Sequence, residues 1–137
     1  MITMDSAVGL AKLLLKQESS GPSDPPVNAA VSVRDKLVAE LSPLLGDAGV
    51  RALLGRTQRI VQLDLPNLKG THLFESGSAL RAGLEPLAPA AAAETAALVF
   101  GTFLSLLSNF IGERLTFQAL RHVWPNVQKQ FPRESDK

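Results

Sequence analysis

Cysteine is absent from the chain. That excludes disulfides, thiolate metal ligands and cysteine nucleophiles, and it fits a reducing, cytoplasmic setting. Tyrosine is absent as well, and aromatic residues make up only 5%. The two histidines, His72 and His122, are too few to build a histidine-rich metal site. Neither sign of charge dominates: 14 basic and 13 acidic residues leave a formal net charge of +1. Nothing in that balance draws the whole molecule to nucleic acid, and no nucleic-acid partner is expected. Alternating runs of valine, isoleucine and threonine are missing, which disfavours sheets. There is no Asn-x-Ser/Thr acceptor. The first residues carry no positive charge, and Lys12 interrupts the apolar stretch 7–15, so export by a signal peptide is not expected. Phosphate-loop, dinucleotide, nucleophile-elbow, zincin and EF-hand patterns are all missing. No catalytic, metal or cofactor constellation remains, and the chain reads as non-catalytic.

What the chain has is leucine, alanine and helical spacing. Hydrophobic residues reach 45% of 137, enough for one packed core. Asp5 or Ser6 can cap a first helix over 7–17, with Val8, Ala11, Leu14 and Leu15 apolar. A helix that short is marginal alone in water and must dock on something. The stretch 19–29 is rich in proline and serine and reads as a flexible linker. Val33, Leu37, Leu41, Leu44 and Leu45 then recur at helical spacing up to Gly46, a natural stop, with Pro43 kinking or tightening the last turn. Asp47 can cap a second helix over 48–63, whose apolar side includes Val50, Leu53, Leu54 and Val61. A weaker helix is predicted over 73–84. A last amphipathic one over 113–124 has Leu115, Leu120, Val123 and Trp124 as its apolar side. The polar tail 126–137 is expected to fray.

The dominant feature is the uncharged run 95–112, extended by alanines back to Ala90. A membrane span needs about 20 mostly apolar residues, and this run nearly supplies them. Glu94 interrupts the extension, and no charge asymmetry flanks it. Ala97, Gly101, Ser105, Ser108 and Gly112 step by three or four and line one narrow stripe. Small residues in a stripe let another helix approach closely, in lipid or in a water-soluble bundle. Four other segments each carry a single apolar face that needs a partner. The apolar helix is their natural partner, which favours a buried core helix over a lipid-embedded one.

Each remaining polar candidate has a plain structural reading. His72 and Glu75 share a helix face, but one such pair is not a di-iron motif, and it reads as a surface pair. Asn109 lies deep in the apolar run and should seek a hydrogen-bond partner. His122 lies near a helix C-terminus, and Trp124 closes one end of the core or offers an anchor to a partner. Glu94 favours the N-terminal dipole of the long helix. Arg51, Arg56 and Arg59 read as a solvated basic face rather than a DNA-reading helix.

The closing pattern Phe110-Ile111-Gly112-Glu113-x-Leu115-Thr116, followed by Trp124-Pro125, resembles the end of small helical bacterial proteins. It implies a helical fold and transfers no activity. The sequence therefore predicts an all-α domain over 30–125. Four to five helices form a compact bundle around a central apolar helix, and a short N-terminal helix (1–18) is tethered to it. The expected role is a cytoplasmic interaction or assembly module whose partner is a second copy or another helical protein. The stripe Ala97, Gly101, Ser105, Ser108 and Gly112 is its helix-packing or oligomer interface, and Asn109, His122 and Trp124 are candidate polar or partner-site residues. The alternatives are a membrane-associated protein anchored by 90–112 and a small-ligand-binding bundle.

Overall fold

The computed structural model describes residues 4–21, 23–65 and 76–125. The His72–Glu75 pair and the tail 126–137 lie outside them. All regular structure among the described residues is helical: α1 (Met4–Glu18), α2 (Pro26–Asp64), α3 (Gly77–Leu84), α4 (Pro89–Ile111) and α5 (Glu113–Val123). The all-α bundle around a central apolar helix is what the structure shows. α4 packs against each of the other four helices, most extensively against α1 and α2. From Val99 to Leu104 every residue of α4 is buried, so at that level its whole circumference is covered by protein.

α1 is part of this core. Ala7, Leu10, Ala11 and Leu14 are fully buried in the same cluster as Phe100, Phe103 and Phe117. Burying one leucine side chain contributes about 1.5–3 kcal/mol, which offsets the poor intrinsic stability of so short a helix. α2 begins at Pro26, inside the segment expected to be linker. Proline presets the helical φ and needs no hydrogen-bond donor at the first helical position. The connection is thus 19–25, and it is tied down. Ser20 N–H donates to Asp24 at 3.0 Å and the Asn28 side-chain amide donates to Asp24 at 2.9 Å. The Ser20 amide, and then Asn28, hold the Asp24 carboxyl below its ordinary value. Arg81 of α3 donates to the side-chain oxygen of Asn28 at 3.0 Å, linking the start of α2 to the third helix.

Two glycines redirect the chain without a loop. Gly46 (φ 81°, ψ 156°) breaks the helical path of α2, where the sequence predicts a stop. Gly112 (φ 93°, ψ 157°) joins α4 to α5 in nearly the same conformation. Only glycine adopts this region without strain. An acidic residue, Asp47 or Glu113, follows each one at the start of the next helical stretch, where the dipole favours negative charge. Nothing surrounds the position a Cβ would take at Gly46. A Gly46→Ala variant therefore tests the backbone alone. It should lose on the order of 1 kcal/mol or more in a urea titration. An unchanged midpoint would show that the bend does not need glycine.

α3 is shorter than the predicted helix over 73–84. It starts at Gly77, with the Ser76 hydroxyl accepting the Ala79 N–H at 3.1 Å. Gly77 therefore sits at the first helical position rather than in an interior. Buried Thr57, Thr102 and Thr116 each donate to the carbonyl four residues earlier, so their hydroxyls are satisfied by nearby backbone, for Thr116 by Gly112 at the bend.

Candidate functional site

The small-residue stripe of α4 is not one continuous surface. Ala97 and Gly101 are buried, Ser108 is buried, Ser105 is half-buried and Gly112 is exposed at the bend. At Gly101 the close neighbour is α1 of the same chain. A Cβ there would lie 2.8 Å from Val8 Cγ2, 2.9 Å from its Cα and 3.0 Å from its N. The backbone of α1 thus occupies the space that the missing side chain leaves.

The polar candidates separate. Asn109 is exposed rather than buried: it shares the open side of the last turn of α4 with Phe110, which is 69% exposed, while Ser108 is buried and Ile111 packs on the core. Trp124 is buried and closes the core. Its indole N–H donates to Glu18 at 2.8 Å, and Lys36 Nζ donates to the same carboxylate oxygen at 2.7 Å. One carboxylate at the end of α1 thereby joins α2 to the residue that follows α5. Glu94 is exposed, 3.8 Å from Lys12 Nζ. His122 is exposed, with Nδ1 2.9 Å from both carboxylate oxygens of Glu40.

His122 also lines a groove of about 500 Å³ between α2 and α5. α5 contributes Leu115, Gln118, Ala119 and His122, and α2 contributes Glu40, Pro43 and Leu44. Both sets follow helical i, i+3, i+4 spacing, so two parallel stripes form the walls. The floor is apolar, and the Glu40–His122 pair marks one edge. The pair is solvated on the histidine side, and such pairs contribute at most about 1 kcal/mol. Leu44 and Leu115 stand 51% and 42% exposed on opposite walls. The sequence places both on core faces. In the structure Leu44 falls in the turn just before the Gly46 bend and Leu115 just after the Gly112 bend; both lie on the groove side of their helices, while Leu41, Thr116 and Phe117 take the buried side. Glu40 carries no signal in the sequence, because its partner is 82 residues away.

No serine, threonine, cysteine or lysine lines this groove, and no group of three or more metal-ligating side chains occurs among the described residues. The groove can take up an apolar side chain or helix edge and orient it by a polar end. Comparison with family models, curated proteins and solved structures finds no match.

Proposed function

We propose that the chain is a non-catalytic helical assembly module of the cytoplasm that pairs with a second copy of itself through the α2–α5 groove. The observation that carries this reading is the exposure of Leu44 and Leu115 on the two walls of an apolar groove. A two-fold interface must be self-complementary. A surface with both a raised leucine and a trough beside it meets that need, because each copy sets its leucine into the other's trough. The α4 stripe is not available for this contact where α1 already fills it at Gly101. Light scattering across a concentration series should give a dimer mass, and Leu44→Glu or Leu115→Glu should return it to a monomer. Both positions are exposed enough to accept the charge without unfolding the core. A wild-type chain that stays monomeric at high concentration would sink the proposal.

Membrane anchoring by α4 is the competing reading, since the helix is long and apolar enough to cross a bilayer. Against it stands the ring of buried residues Val99–Leu104, more than half of the apolar window being covered by protein. Moving α4 into lipid would remove the surface on which α1, α2 and α5 pack.

A further inference from the structure

The second part of α2 presents an outer face that no other described helix covers at Arg51, Arg56 and Arg59. Arg51, Arg56 and Arg59 are exposed there, and no hydrogen bond or ion pair engages them among the described residues. On a helical wheel Arg56 and Arg59 lie opposite the buried Val50, Leu54 and Val61, and Arg51 sits at the flank of the same exposed arc. No acidic residue lies within that arc: Asp47 and Asp64 flank it on either side. The positions between the arginines are Ala48, Ala52 and Gly55, so the surface there is smooth. Leu63, at the end of the same arc, is 82% exposed, the highest value among the large apolar side chains of the described residues. Exposed guanidinium groups offer charge to anionic headgroups, and the bare leucine beside them offers one apolar side chain to the boundary beneath.

We propose that this face docks on an anionic lipid surface. The three arginines sit at the level of the headgroup phosphates, and Leu63 enters the boundary below them. Guanidinium matches phosphate geometrically as well as in charge. The leucine and the small residues favour lipid over duplex DNA, whose grooves reward polar contacts to base edges. With a net charge of only +1, long-range attraction is weak. Binding therefore depends on the local charge density of the membrane and on low salt. This docking uses a surface separate from the α2–α5 groove, so it holds for monomer and dimer alike.

The test is co-sedimentation of the full chain with vesicles of phosphatidylcholine alone and of phosphatidylcholine with phosphatidylserine in equal parts. Binding should appear only with the serine lipid and fall as salt is raised. Each single change, Arg51→Gln, Arg56→Gln or Arg59→Gln, should lower the partition coefficient about fivefold, and the triple change about a hundredfold. Leu63→Ser should weaken it further, with salt sensitivity kept. The variants are expected to fold normally, because the arginines are exposed and glutamine suits a helix, and circular dichroism checks this. Equal binding to neutral vesicles would overturn the proposal in favour of insertion of α4. Binding indifferent to the triple change would show that another surface is responsible. Absence of vesicle binding would also overturn it, and a salt-sensitive shift of duplex DNA would then reassign the face to nucleic acid.

Discussion

Replacing Gly101 with leucine is expected to drive α1 off the bundle. Two effects compete at this position. Glycine inside a helix costs about 1 kcal/mol relative to alanine, so any side chain helps α4 on its own. The opposing effect is steric. Even a Cβ would come within 3.0 Å of three atoms of Val8, two of them backbone. Backbone cannot turn aside as a flexible side chain can, so the whole of α1 must shift. Overpacking a core costs about 1–3 kcal/mol, and a leucine here extends past the Cβ into the helix itself. Gly101→Ala should therefore lose stability despite the better helix propensity, and Gly101→Leu should lose several kcal/mol. Limited proteolysis within 19–25, together with a urea titration, measures both. If the leucine variant keeps the wild-type midpoint and resists cleavage there, the close packing of α1 on α4 is not what holds the helix.

Glu18→Ala should have the second large effect. The carboxylate is only 11% exposed and accepts from both Lys36 and the Trp124 indole. Its removal leaves the N–H of a buried tryptophan without an acceptor and a lysine without its counter-charge. Hydrogen bonds to charged groups are worth about 1.5–3 kcal/mol, and an orphaned buried donor costs a comparable amount. A loss of about 2–3 kcal/mol is expected, with Glu18→Gln retaining part of it because its carbonyl oxygen still accepts from the indole. Equal stability of all three proteins in thermal unfolding would remove this carboxylate from any account of the fold.

These two sites show where the sequence stops being readable. The helices themselves are legible, because leucine spacing and the punctuation at Gly46, Pro89 and Gly112 are local signals. The central position of α4 is legible too, from an apolar circumference flanked by one-faced neighbours. The partner of Gly101 is not, since a small residue announces close approach without saying which helix approaches. Leu44 and Leu115 mislead for a related reason. Periodicity puts them on apolar faces, but each lies at the groove-side edge of its face, while Leu41 and Phe117 take the covered side. Asn109 is misplaced because an apolar run does not show which side of the last turn of α4 is covered: Ser108 is buried, while Asn109 and Phe110 are exposed. Glu40 and His122 meet only in three dimensions, and neither residue type predicts the other.

The contact between the single tryptophan and the end of α1 makes the attachment of the N-terminal helix visible to light. Trp124 is 3% exposed, and the chain contains no other tryptophan and no tyrosine. Its emission comes from one site, unmixed with signals from elsewhere. An indole that gives up its bond to Glu18 and meets water emits at longer wavelength, so the colour of the intrinsic fluorescence reads whether α1 is seated. The protein carries its own optical gauge of that docking, with no dye or label to add.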